Sequence, residues 1–117
     1  MELKDYTELH RHLDGSMRRA TLEQLAASIG QEVPESLCFQ PGMGLDEALS
    51  RFQFTVGCLQ TLDAVYRVAA EMCEDAAEEG TGHLEIRFAP QLHGGAIQDV
   101  VEAALAGISG RAGLILC

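Results

Sequence analysis

Polar and apolar side chains alternate from Tyr6 to Leu13, which predicts a strand, and Asp14-Gly15-Ser16 is a turn signal that ends it. Thr21, with Gln24 three residues later, forms a capping-box signature. Leu22, Leu25, Ala26 and Ile29 then recur at i, i+3, i+4 and i+7 as far as Gly30, so this helix has both ends marked. The stretch 31–44 carries Pro34, Pro41, Gly42 and Gly44 and predicts a long connection. A second helix is expected from Leu45 to about Val56, with Asp46 and Glu47 in its first turn, where negative charge suits the helix dipole. Leu45, Leu49 and Phe52 share one face of it. Thr61 predicts the cap of a third helix, in which Val65, Val68, Ala69, Met72, Cys73 and Ala76 keep the helical period until Gly80 stops it. From His83 to Ala89 the apolar residues Leu84, Ile86 and Phe88 alternate with His83, Glu85 and Arg87, a strand ended by Pro90. A fourth helix follows with Ile97, Val101, Ala104, Leu105 and Ile108 on its inner face. Leu114 to Cys117 is a continuous apolar run, as in parallel strands covered on both faces.

The order strand, helices, strand, helix, strand is that of α/β units on parallel strands with right-handed crossovers. The 117 residues suffice for a single domain spanning 1–117 and are too few for a large closed barrel. Because no helix follows the last predicted strand, the chain reads as the opening part of a larger sheet, and its open edges predict self-association. Charge narrows the partners. With 18 acidic against 8 basic side chains the net charge is −10, which repels nucleic acid and anionic membranes and suits a neutral or cationic small ligand. No apolar run approaches the roughly 18 residues of a membrane span, and the N-terminal MELKDYTE lacks the apolar stretch of a secretory signal. Cys38, Cys58, Cys73 and Cys117 are too widely spaced for a CxxC unit and read as reduced thiols of a cytoplasmic protein.

His10 and His12, two apart on the first strand, project from the same face and can chelate one metal ion, while Leu9, Arg11 and Leu13 point the other way. Asp14 shares their parity at the strand's C-terminal end, where ligands gather in parallel α/β folds. Other polar residues read as structural. His83, at the wrong end of its strand, and His93, in a glycine-rich loop, are expected to be solvated. Glu85 and Arg87 are expected to form a polar pair, and Glu74, Asp75, Glu78 and Glu79 a solvated helix face. Gly94 and Gly95 lack the Lys and Ser/Thr spacing of a phosphate loop.

The string ELHRHLDGS from Glu8 to Ser16 resembles the opening motif of the adenosine deaminase family, within the zinc-dependent amidohydrolases. TLDAVYRVAAEMCEDAAEEG at 61–80 resembles that family's helix before its second strand, HLEIRFAP at 83–90 its second strand, and 114–117 its third. The resemblance implies the first three βα units of a TIM (β/α)8 barrel, incomplete in this chain, with Zn2+ at its C-terminal face. It implies that His10 and His12 bind the metal and that His12 and Asp14 meet the substrate, Asp14 contacting the ribose of a purine nucleoside. It also implies that Leu45, Leu49 and Phe52 form a gate over the purine pocket, although an apolar stripe at helical spacing fits ordinary core packing equally.

The activity implied for the complete enzyme is hydrolytic deamination of adenosine to inosine and ammonia, within purine metabolism. Family members acting on the free base tend to carry Glu in the place of Asp14, so Asp favours a nucleoside over adenine. The family's remaining ligands and the glutamate that protonates the purine lie on later strands and have no counterpart here. No catalytic residue is therefore expected within the chain, and two histidines alone would leave zinc with half its usual ligands. The competing expectations are a short non-catalytic metal- or partner-binding protein and a related adenine deaminase.

Overall fold

The computed structural model describes residues 6–34 and 44–117. The chain runs from a strand, Tyr6–His12 (β1), through a single 3-10 turn, Leu13–Gly15, into the helix Arg19–Ser28 (α1). The helices Leu45–Gly57 (α2) and Leu62–Glu78 (α3) lead to the strand Thr81–Phe88 (β2). A second 3-10 turn, Pro90–Leu92, precedes the helix Ile97–Ile108 (α4) and the strand Gly113–Leu116 (β3). The strands lie in the order β1-β2-β3 with both pairings parallel, which is the predicted α/β arrangement. No helix among the described residues is long and apolar enough to cross a membrane. The predicted connection over 31–44 lies mostly outside the described residues, and Cys38 with it.

On α3 the sequence period and the packing agree. The Thr61 hydroxyl accepts a hydrogen bond from the Ala64 N–H at 3.1 Å, satisfying one of the donors that a helix start leaves open. Val65, Val68, Ala69, Met72, Cys73 and Ala76 are all buried. Against this stripe pack Leu84, Ile86 and Phe88, the inward half of the alternation on β2, and Val100, Ala104 and Ile108 of α4, together with Leu13 and Leu59.

α1 starts at Arg19, three residues before the predicted start, with Arg18 as its N-cap and no side-chain cap. Thr21 is therefore not the capping residue. It is buried, and its hydroxyl donates to a carboxylate oxygen of Glu71 on α3, so a link between helices has replaced the local cap. The Arg18 guanidinium reaches Asp75 at 2.8 Å and Glu74 at 3.2 Å. Two of the four acidic residues expected merely to face solvent thus tie the start of α1 to α3. These carboxylates, the hydrogen-bonded Asp75 foremost, push the Arg18 pKa up.

The inner face of α4 is Val100, Ala104, Gly107 and Ile108; of the predicted face, Ile97 and Leu105 are exposed and Val101 is half-buried. Gly107 accounts for the rotation. A Cβ there would fall on the Tyr66 carbonyl oxygen and stand 3.0 Å from the Ala69 Cβ, so the helix turns its smallest residue onto α3. β3, expected to be covered on both faces, has Leu114 and Ile115 half-buried and Leu116 exposed, with β2 its one partner strand among the described residues. Leu114 packs on the core, and strand alternation sends Ile115 to the other side.

Candidate functional site

Glu8 pairs with Leu84 and Arg11 with Ile86, three steps along β1 against two along β2, so a bulge lies across Leu9 and His10. Bulges of this kind re-aim side chains. Beyond it His12 pairs with Arg87. The His10 and His12 rings converge, with their Nε2 atoms 3.0 Å apart and their centroids 4.9 Å apart. Two nitrogens bound to one tetrahedral zinc stand about 3.3 Å from each other, so the pair is set close to the spacing that a shared cation needs. Both residues are exposed, which leaves room for further ligands. Among the described residues no group of three or more His, Cys, Asp or Glu could hold a metal ion. The donors present fit zinc as half of a four-ligand set.

Asp14 sits in the 3-10 turn that follows, where Arg11 Nε donates to Ser16 Oγ at 3.3 Å and ties the strand end to the turn. Asp14 is only 2% exposed. Its Oδ2 lies 3.6 Å from Nε2 of His93, and its Oδ1 has no hydrogen-bond partner among the described residues. A buried acceptor left unpaired costs on the order of 1–3 kcal/mol.

His93 departs from the solvated ring expected of it. It is buried, its Nδ1–H donates to the Leu59 carbonyl at 2.8 Å, and its ring packs against Phe88 with centroids 5.5 Å apart. Because a carbonyl oxygen only accepts, Nδ1 carries the proton in this contact. The loop bearing His93 is pressed onto the connection between α2 and α3. Gln60 Nε2 donates to the Leu92 carbonyl at 3.0 Å, and a Cβ on Gly94 would fall on the Gln60 carbonyl oxygen. Gly94 directly after the histidine is the signal that was available in the sequence, and it answers to close backbone approach.

His83 is exposed as expected, and its Nε2 lies 3.1 Å from Glu85 Oε2. Arg87 instead donates to the Leu9 carbonyl at 3.2 Å, so the expected Glu85–Arg87 pair is replaced by two separate contacts. Cys58 and Cys73 are free and buried, and burial pushes both thiols up in pKa, away from nucleophilic character.

An open cleft of ≈ 860 Å³ has His10, His12, Asp14, Leu49, Phe52 and Thr55 among its walls. α2 thus adds apolar side chains, together with Arg51 and Thr55, to a cleft whose other polar residues come from β1, its turn and Arg19 of α1. Of the three expected gate residues, Leu49 and Phe52 stand in the wall; Leu45, 73% exposed, does not.

Residues 6–112 match the family model described as adenosine deaminase. The probable adenosine deaminase of Dictyostelium discoideum is 39% identical over 93% of this chain and 16% of its own length. The adenosine deaminase of Mycobacteroides abscessus is 40% identical over 86% of this chain and 32% of its own. An amidohydrolase from Burkhoderia ambifaria, solved with bound Zn, is similar in structure, with a TM-score of 0.81 at 25% identity over 97% of this chain and 35% of that one. The chain thus spans about a third or less of the length of the curated relatives it matches. Its parallel strands and their helices are the first three βα units of the (β/α)8 barrel of these amidohydrolases. With the converging histidines at the end of β1, the buried aspartate after them and a family match running from β1 almost to the last residue, the chain belongs to the adenosine deaminase family.

Proposed function

We propose that His10, His12 and Asp14 are the metal-holding and sugar-recognising part of a zinc-dependent hydrolase that converts adenosine to inosine and ammonia. The reading is carried by one observation: two imidazole nitrogens 3.0 Å apart and a buried carboxylate with a free oxygen line the same cleft as the apolar Leu49 and Phe52. The curated relatives, each named as an adenosine deaminase, support the substrate. The bound Zn of the similar amidohydrolase supports the metal.

His10 and His12 would hold the ion through Nε2. A bound zinc supplies Lewis acidity, which brings water to deprotonation at about pH 7. Asp14 Oδ1 accepts a hydrogen bond from a ribose hydroxyl and so orients the nucleoside, with His12 beside it at the substrate. Leu49 and Phe52 cover the purine and exclude water. The remaining ligands and the proton donor are expected on later strands of the barrel. A cytoplasmic location and a place in purine metabolism belong to the same reading, and the free thiols Cys58, Cys73 and Cys117 support the first. Self-pairing of the chain through β1 and β3, the edges of the described sheet, belongs to the same reading.

The test uses the gene product that carries these residues, expressed at its natural length. Zinc content near one ion per chain and production of inosine from adenosine are expected. Zinc at background with adenosine untouched would favour the non-catalytic binding protein, and turnover of adenine in preference to adenosine would favour the adenine deaminase.

A further inference from the structure

His93 is a buried group that the proposed reaction leaves unused. Nδ1–H is committed to the Leu59 carbonyl at 2.8 Å, and Phe88 packs against the ring. Nε2 has no hydrogen-bond partner among the described residues and faces Asp14 Oδ2 at 3.6 Å. Turning the ring over would give up the bond to Leu59, so the direction of Nε2 is set by the backbone between α2 and α3. The Asp14 carboxylate is thereby faced on one oxygen, Oδ2, while Oδ1 stays unpaired in a residue that lines the cleft.

We propose that His93 is a positioning residue: with Nδ1–H kept on Leu59, a second proton on Nε2 makes the ring a cation that pairs with Oδ2 of Asp14, 3.6 Å away, and so presents Oδ1 to a hydroxyl of the ligand's sugar. The proposal rests on the reading of Asp14 as a sugar contact. A carboxylate held on one oxygen before the ligand arrives loses less freedom on binding, which strengthens the hydrogen bond it then makes. The sugar contact is thus linked to the α2–α3 connection, which Leu59 joins to His93 and Gln60 joins to Leu92.

Two amide substitutions separate this role from simple packing, because each keeps half of the ring's polar geometry. In His93→Gln the amide nitrogen stands near the place of Nε2 and still donates to Asp14. In His93→Asn it stands near Nδ1 and serves only Leu59. In the natural-length gene product, His93→Asn is expected to raise KM for adenosine about tenfold, the size of one charged hydrogen bond, with kcat within about twofold. His93→Gln is expected to bring KM back to within about threefold of wild type.

The effect of His93→Asn should vanish in an Asp14→Asn background and on a deoxynucleoside lacking the hydroxyl that Asp14 meets. A loss of equal size in both backgrounds, or Gln worse than Asn, would overturn the proposal. A readout free of turnover guards against misfolding and against failure of the deaminase reading. In two-bond proton–nitrogen NMR spectra the His93 Nε2 resonance should move on Asp14→Asn substitution while Nδ1 stays put. An unmoved Nε2 overturns the proposal whether or not adenosine is a substrate, and a wild-type protein that leaves adenosine unchanged overturns the deaminase reading by itself.

Discussion

Between α3, β2 and α4 the buried side chains are valines, alanines, leucines and their like, whereas past the end of β1 two ionisable side chains, Asp14 and His93, are as deeply buried as the leucines of the core. Across the cleft, Leu49 on α2 stands half out in solvent. The first region is stabilised by apolar area removed from water. The second gives up some of that stabilisation, since it desolvates a carboxylate, leaves one of its oxygens unpaired and exposes a large apolar side chain. Such inversions of the usual burial order collect where a ligand is to complete the structure.

Phe88 belongs to both regions, so its loss breaks the comparison most severely. It is 1% exposed in the core and packs against the His93 ring. Phe88→Ala should cost about 3–5 kcal/mol of stability, measured by urea unfolding, and should also weaken nucleoside binding at temperatures where the protein is still folded. Gly107→Ala should touch the first region only. The added Cβ would fall on the Tyr66 carbonyl oxygen, so α3 and α4 must part, at a cost of about 1–3 kcal/mol. Zinc content and KM of the surviving folded protein are expected to stay at wild-type values. A change in either would show that the two regions are mechanically one.

The same division explains what could be read from the residues alone. The buried stripe of α3 and the inner residues of β2 follow directly from period, because burial there is a matter of hydrophobicity. The inner face of α4 does not, because its contact is made by Gly107, which carries no hydrophobic signal. Thr21 looks like a cap in local sequence, yet its partner Glu71 lies 50 residues away. The convergence of His10 and His12 was legible from strand parity, and the chemistry proposed for them from the family resemblance of the ELHRHLDGS string; the bulge that aims His10 was not, since it depends on register with β2. His93 was missed for the same reason: its partners, Leu59 and Asp14, come from the α2–α3 connection and from the turn after β1.

Thr61 offers a milder test of the core's independence. Its hydroxyl holds the Ala64 N–H at the start of α3, whereas the polar cluster takes its bond from the backbone of Leu59, two residues earlier. Thr61→Ala should lower stability by about 1 kcal/mol, seen as a lower urea midpoint with an unchanged slope, and should leave adenosine turnover as it was. A changed slope would mean that the start of α3 unfolds separately from the rest of the core.

The smallest effect on stability should be the most informative about the cleft, and it comes from setting Leu45 against Leu49. Both are exposed residues of α2, one turn apart, and the family resemblance makes both candidates for the gate. Only Leu49 is among the walls of the cleft. Replacing either exposed leucine by alanine should change stability by no more than about 0.5 kcal/mol, since little buried area is lost and alanine favours the helix. Binding should separate them. Leu49→Ala removes apolar surface that would cover the purine and should raise KM for adenosine by a few-fold, about 1 kcal/mol for one side chain's contact, with Leu45→Ala at the wild-type value. Equal KM for the two variants would mean that the apolar stripe on α2 serves packing within the barrel. It would leave Phe52 as the remaining gate candidate in the cleft wall.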